Sequence, residues 1–594
     1  MSPSIKVWQT LLLEEFIDFD SSFSRKKCSA KSFASAFSGK SVHEIEKLIF
    51  TVYYNFMKKK AILYTTNFEK LATLAQYLVH DDWEILSAGE TAKFLAENNI
   101  PYTFTKQLEH NANSDDSFIS LIHSVLAAGR NLLASSFYTE SVVNLVCMNV
   151  EPAFHKINDF LEVDKTDNCI ELKEMTLLAS AAKNYMNVVV LCDPLDYMEA
   201  IVQMKNDSIS DEFRLYLASK ALNQVAACNA ANSVSISEGL KGIPFPPYFM
   251  VPFKFAGKLH HGANDHQNAF LYSLNDKEGA LSGMKKIQGK EMNLNLYENC
   301  FAAWKAISIF TKILKSPFTV DSVDCNNYPF TTQFTPAASS VFTIGIKNSN
   351  PIGASLGGTL LESFRKTYSC EPDSFKGSTF GCSSVVDEEA ARELVKIDFR
   401  AIIAPDFTKE AKEIFSEKKD MRLVISSRFI SSYYEMSAID GGFMLQEPDS
   451  KMFTKLSVVT QKRPTQAQVD SMAFGMLIAM TCKSDAAVVV NDFSTVGISA
   501  GNTSRKRAVR YALQDAGEYF ENNQNNNLIC KDRNSEILIS DSVIYFDEYA
   551  KKLADVGIKA IIQTGGVECD AEFIQYCNDH DISMIFTGIQ HLSV

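Results

Sequence analysis

The chain has 594 residues, 46% hydrophobic and 22% charged, which is length enough for several domains with full cores. A formal net charge of −13 excludes a nucleic-acid or anionic-membrane partner reached through bulk electrostatics, while leaving room for a local basic pocket. Thirteen cysteines, an odd number with no C-x-x-C spacing, argue for buried thiols in a reducing compartment rather than a disulfide framework.

In chain order, residues 1–60 read as a helical extension. Ser41 and Glu44 have capping-box spacing, and Val42, Ile45, Leu48, Ile49, Val52, Tyr53 and Phe56 then recur at helical spacing. The extension is expected to pack on the next domain or to dock a protein partner. The first twenty residues lack the layout of a signal peptide, because acidic residues interrupt the apolar run. No stretch approaches the roughly 20 apolar residues that span a bilayer, so the cytoplasm is expected and a membrane is not.

From Ala61 short apolar strands alternate with helices: "AILYTT", "WEILSAG", "VVNLVCMNV" and "NVVVLC" are buried strands. That order predicts a parallel α/β sheet with ligands beyond the carboxyl ends of its strands. "GIPFPPYFMVPFKFAG" (242–257) reads as a connector. A larger α/β region follows, for which two related halves are expected. "IKNSNPIGASLGG" (346–358) predicts a strand-to-helix turn presenting Lys347 near a helix N-terminus. "STVGISAGNTSRKRAVRYALQDA" predicts a helix from near Gly501, and "YFDEYAKKLADVGIKAIIQTGG" to "DISMIFTG" a helix–strand–helix–strand unit. "ENNQNNNLICKD" (521–532) is a polar loop.

P-loop, dinucleotide, zincin and nucleophile-elbow motifs are absent. His260, His261 and His266 cluster with Asp265, but such a loop more often spends its histidines on hydrogen bonds, and no metal is expected.

The order of segments carries more than any one motif. "SAGETAKFL", "MTLLASAAKNYMNVVVLCDPLDY", "LHHGANDHQNAFLY", "KNSNPIGASLG", "STFGCSSVVDEEAARELV", "GGFMLQEPD", "CKSDAAVVV", "TVGISAGNTSR" and "MIFTGIQH" follow one another in register over about 61–594. In this the chain resembles the bifunctional AICAR transformylase/IMP cyclohydrolase family of purine synthesis. The resemblance implies a methylglyoxal-synthase-like domain over 61–250. It also implies a transformylase over 251–594 built of two cytidine-deaminase-like α/β halves, about 258–440 and 441–594. It further implies a homodimer, a purine nucleotide substrate and 10-formyltetrahydrofolate as cofactor.

The same resemblance assigns proton transfer to a Lys-His pair, helped by a histidine of N-P-H-Q and an asparagine of K-S-N. Here the lysine is Lys347 and the N-P-H-Q histidine is His266, but the paired histidine is Asn348 and the asparagine is Asp485. An amide cannot serve as a base, and a carboxylate opposes an oxygen becoming negative. The two phosphate-binding arginines fall at His260 and Gln590, and the terminal histidine at Val594. Asn264 and Gln267 are retained.

In the cyclohydrolase half Thr91, Lys183 and Asn184 are retained. The family arginine is Ala179 or Ser180, the tyrosine falls at Val150 or Glu151, and a glycine of the anion-binding turn is Glu90. The family lysine has no counterpart in "SDDSFISLIHSVLAAGR". The expectation is a catalytically degenerate homologue kept for a structural or interaction role, needing no cofactor. Two alternatives stand beside it. One is an active formyltransferase using Lys347, His266 and His260. The other is a non-catalytic sensor of a purine nucleotide or folate.

Overall fold

The computed structural model describes residues 58–108, 142–152, 172–206, 209–239, 247–274, 279–314, 318–334, 340–428, 435–523 and 536–593, with a few positions between 119 and 126. The expected N-terminal helices, most of the 114–130 segment, most of the polar loop at 521–532 and Val594 lie outside the described residues. The chain divides into two compact units between Pro252 and Phe253.

In the first unit β1 (Lys60–Tyr64), β2 (Glu84–Ser87), β3 (Thr103–Phe104), β4 (Leu145–Met148) and β5 (Val189–Leu191) form a sheet of order β3-β2-β1-β4-β5. Every pairing is parallel. All four residues of β4 are buried, as expected of a strand covered on both faces by crossover helices.

In the second unit β6 (Lys254–Lys258) and β7 (Phe270–Ser273) form a two-stranded ribbon, followed by β8 (Met284–Gln288), β9 (Phe318–Val323) and β10 (Pro329–Phe334). Then come β11 (Val341–Lys347), β12 (Asn350–Gly357), β13 (Thr379–Cys382), β14 (Ala401–Ala404) and β15 (Arg422–Ser426). A second ribbon, β16 (Glu435–Ile439) and β17 (Gly442–Gln446), precedes β18 (Leu456–Val458) and β19 (Ala487–Asn491). The chain closes with β20 (Ser494–Ser499), β21 (Glu536–Ser540), β22 (Ile558–Gln563) and β23 (Ser583–Phe586). Fourteen of these strands make one mixed sheet, ordered β10-β9-β18-β23-β22-β21-β19-β20-β12-β11-β13-β14-β15-β8.

That order repeats about its centre. In one half the hairpin β11–β12 leads to parallel β13, β14 and β15, with β8 antiparallel at the end. In the other the hairpin β19–β20 leads to parallel β21, β22 and β23, followed by antiparallel β18, beyond which β9 and β10 extend the sheet. The hairpins meet where Ser355 pairs with Ser494. There the Thr495 hydroxyl accepts from Ala354 N–H at 2.9 Å and donates to its carbonyl at 3.1 Å. The helix Gln466–Thr481 is buried nearly all round and starts at a capping box between Thr465 and Gln468, so it serves as a core element.

Three expected elements differ. The stretch 346–358 is a hairpin, not a strand-to-helix turn. The chain reverses at Asn348 and Ser349, with φ of 52° and 62°, the pattern of a type I′ turn. Its glycines serve close packing: a Cβ on Gly353 would lie 2.5 Å from the Thr367 carbonyl oxygen. The next helix, Leu360–Cys370, has its N-terminus closed by its own residues, with Thr359 accepting from Glu362 N–H and Glu362 accepting from Gly358 N–H. The helix placed near Gly501 begins at Arg505. The helix expected before β22 is only a 3-10 turn, Ala550–Lys552, where an aspartate cap at Asp547 starts a turn that Gly557 ends at φ 95°.

Candidate functional site

The tip of β11–β12 is held from both halves of the second unit. Ser349 N–H donates to Asn299 Oδ1 at 2.8 Å, on the helix Leu294–Ile309. Asn350 Oδ1 accepts from Lys483 N–H at 2.8 Å. Lys483 lies two residues before Asp485, and Asn350 two after Asn348. The chain segments that carry Asn348 and Asp485 are therefore joined across the two halves by the Asn350–Lys483 hydrogen bond.

Around Asp485 the backbone is fully engaged. Its N–H donates to the Asn502 carbonyl at 3.0 Å, and its own carbonyl accepts from Asn502 Nδ2 at 3.1 Å. The Ser484–Asp485 peptide is cis. The carboxylate has Arg505 Nε at 3.8 Å, with both side chains about a quarter exposed. Arg505 also reaches the Tyr545 hydroxyl at 3.4 Å. Sequence reasoning did not single out Arg505. The signal was there, since a helix opening on Arg505, Lys506 and Arg507 puts cations at the end where the dipole disfavours them.

Lys347 turns elsewhere. Its ammonium donates to the carbonyls of Ser374 at 3.1 Å and Lys376 at 3.3 Å, at the short helical turn after Cys370. Glu371 is close enough to feel that charge. Burial raises its carboxyl above the usual range, Asp373 and Glu518 raise it further, and Lys347 only partly offsets them. Asn348 is exposed. Asparagine, aspartate and histidine all favour positive φ, so either Asn or His meets the backbone demand of this turn.

The loop at 260–267 is held by its own polar groups. Gln267 Oε1 accepts from Asn264 N–H at 3.0 Å and from Asn264 Nδ2 at 3.2 Å, and Gly262 N–H donates to the Gln267 carbonyl. His261 places its ring nitrogens against the Gly262 carbonyl at 2.8 Å and Asn293 Nδ2 at 3.1 Å. His260 and His266 are exposed. Asn293 caps the helix that carries Asn299, so this loop and the hairpin tip sit on the same helix, about 9 Å apart along its axis at 1.5 Å per residue. No group of three His, Cys, Asp or Glu residues suited to a metal occurs among the described residues.

Gln590 is exposed on the last stretch of chain, whose neighbour Ser593 exchanges hydrogen bonds with Ser484, at 2.9 Å between backbones and 3.1 Å to the hydroxyl. Beneath them Asp541 accepts from the Ser484 hydroxyl at 2.6 Å and Ala486 N–H at 3.1 Å. Burial raises the Asp541 carboxyl above its ordinary range, against the pull of these bonds. The chain around Asp485 is thus tied to the hairpin tip through Asn350 and to the last stretch of chain through Ser593, while Lys347 Nζ faces the Ser374 turn.

In the first unit the sheet separates the expected residues. Thr91, on the helix Gly89–Glu97, lies at the carboxyl ends of the strands; its hydroxyl accepts from Thr65 N–H and donates to the Thr65 carbonyl, both at 2.9 Å. Glu90 pairs with Lys93 on the surface at 2.6 Å. Asn149, at the end of β4, takes Thr66 N–H at 2.8 Å. Lys183 and Asn184 end the helix Leu172–Lys183 and precede β5, so they lie at the amino ends of the strands. There Asn184 Nδ2 donates to the Val125 carbonyl at 2.8 Å.

A family model described as "AICARFT/IMPCHase bienzyme" matches residues 181–515. The bifunctional purine biosynthesis protein PurH of Clostridium kluyveri is 30% identical over 548 residues, 90% of this chain and 99% of that protein. PurH of Clostridium botulinum (strain Kyoto / Type A2) is 31% identical over 544 residues, and that of Brachyspira hyodysenteriae 30% over 549, each with the same coverage. A solved chain, ForH, is 21% identical, covers 30% of this chain and 97% of its own, and superposes at a TM-score of 0.26, too low to bear on the fold. The chain therefore belongs to the AICARFT/IMPCHase bienzyme family.

Proposed function

We propose that this chain is a member of the purine-synthesis family whose formyl-transfer and cyclisation sites no longer turn over, and that it is kept for a structural or protein-interaction role. The observation that carries this reading is the Asp485 carboxylate 3.8 Å from Arg505. A ribotide brings a phosphate, and formyl transfer builds negative charge on an oxygen, so the site needs uncompensated positive charge and neutral donors. Here a guanidinium already has its anion. Asn348 supplies no proton acceptor, and Gln590 supplies no guanidinium.

Lys347 speaks against the alternative of an active enzyme with a rearranged site, because its ammonium is held by two carbonyls. A working site would take 10-formyltetrahydrofolate; the degenerate one needs none. In the first unit the Thr91 hydroxyl is already paired with Thr65, and Glu90 places a carboxylate in the turn where a phosphate would sit. The methylglyoxal-synthase-like and deaminase-like assignments of the two units, and a cytoplasmic location, belong to the same reading and rest on family membership.

Self-association is also part of it. The ribbon β6–β7 exposes Phe255, Phe270 and Tyr272, and β16–β17 exposes Met436, Phe443 and Met444. Two-stranded ribbons are marginal alone in water, so these favour a covering surface, and a second copy of the chain is the proposed one. A protein partner through residues 1–60 remains a proposal from the sequence.

The test is a triple variant, Asn348→His, Asp485→Asn and Gln590→Arg, assayed with AICAR ribotide and 10-formyltetrahydrofolate. It should gain ribotide binding and formylated product that the natural chain lacks. Equal binding by the variant and the natural chain would remove the basis of the reading.

A further inference from the structure

The last residues of the chain run as an extended strap with alternating faces: His591 is 2% exposed, while Gln590 and Leu592 point outward. Three inward positions fasten it. The Ile589 carbonyl accepts from the hydroxyls of Thr564 at 3.0 Å and Thr587 at 2.9 Å. His591 sets Nδ1 against the Asp449 carboxylate at 2.7 Å and Nε2 against the Met452 carbonyl at 3.0 Å, and its N–H donates to the Asp541 carbonyl at 2.9 Å. Ser593 then bonds Ser484 in both directions. Asp485 is flanked by Ser484, which the strap and Asp541 both hold, and by Ala486, whose N–H Asp541 accepts.

We infer that His591 is a positioning residue: through Asp449 and Met452 it clamps the C-terminal strap across Ser484, and so fixes the direction in which Asp485 meets Arg505. Asp449 touches neither Ser484 nor Asp485 in the bonds described, yet the inference makes it part of their support. The claim takes Asp485 from the functional reading only as its output, and its readout works whether or not the site turns substrate over.

Hydrogen exchange by mass spectrometry on the full chain tests it, comparing His591→Ala, His591→Gln and Asp449→Asn. The last variant is safe for folding because the Asp449 side chain is 45% exposed. Losing a charge-assisted bond should speed exchange in segments 482–486 and 589–593 by roughly tenfold or more, with β19 and β21 unchanged. His591→Gln keeps a donor near the Nε2 position and should fall between the natural chain and His591→Ala. Unchanged exchange at 482–486 when Asp449 is replaced would overturn the inference. So would a uniform rise across the fourteen-stranded sheet, or a glutamine variant no better than alanine.

Discussion

Replacing Asp485 by Asn removes one charge and almost no volume from the junction of the two halves. At 3.8 Å from Arg505, the carboxylate interacts with the guanidinium by about 4 kcal/mol at an effective dielectric constant of about 20, and about 1 kcal/mol in water. Both groups are about a quarter exposed, so solvent and salt place the real value toward the lower end. Freeing the guanidinium of its anion should then raise affinity for an anionic ribotide by roughly tenfold, since 1.4 kcal/mol corresponds to one decade. Calorimetric titration with AICAR ribotide at low and high ionic strength is the assay. The gain should shrink as salt rises, and a control substitution at exposed Asp581 should show none. A stable Asp485→Asn chain that binds no more tightly than the natural one would refute the reasoning, because the carboxylate would then not be what repels the phosphate.

Other substitutions probe single links. Asn348→Gly and Asn348→His should change stability by no more than about 0.5 kcal/mol, because both accept φ of 52°, whereas Asn348→Val should cost about 1–3 kcal/mol; thermal or denaturant unfolding decides. Thr91→Val should cost about 1–3 kcal/mol, since it strands the Thr65 N–H and carbonyl inside the first unit, and an unchanged unfolding midpoint would show that water replaces the hydroxyl. Burial first, then the neighbouring Glu371 and Glu518, lift the Asp515 carboxyl from 3.8 to about 6. Between those values the folded chain holds a proton that the unfolded chain has lost. Stability contributed at Asp515 therefore falls as pH rises through that window and stays lowered above it. Asp515→Asn should raise the melting temperature at pH 7–8 and lose that advantage below pH 4.

The alternation of apolar strands and helices was enough to read the parallel sheet of the first unit, because β1, β4 and β5 are short apolar runs that nothing else explains. What the sequence hid is visible at 346–358. Glycines and a proline between polar residues look alike whether they shape an anion-binding turn or let strands pack closely. Only the Thr367 carbonyl against Gly353, a contact between residues fourteen apart, separates the two. Lys347 shows the same limit: its place in a motif was legible, but the Ser374 and Lys376 carbonyls that hold its ammonium are not. Arg505 and His591 were passed over because their partners, Asp485 and Asp449, lie 20 and 142 residues away. Conversely, Asn348, Asp485 and Gln590 were each legible as departures from a pattern, and hydrogen bonds between Asn350 and Lys483 and between Ser593 and Ser484 tie their chain segments together.

Steady-state turnover measures directly whether formyl transfer and cyclisation have been lost. Purified full-length chain, supplied with AICAR ribotide and 10-formyltetrahydrofolate, should form neither formylated ribotide nor IMP above the uncatalysed background. Formation of either at rates typical of metabolic enzymes, on the order of 1–1000 per second, would contradict that loss.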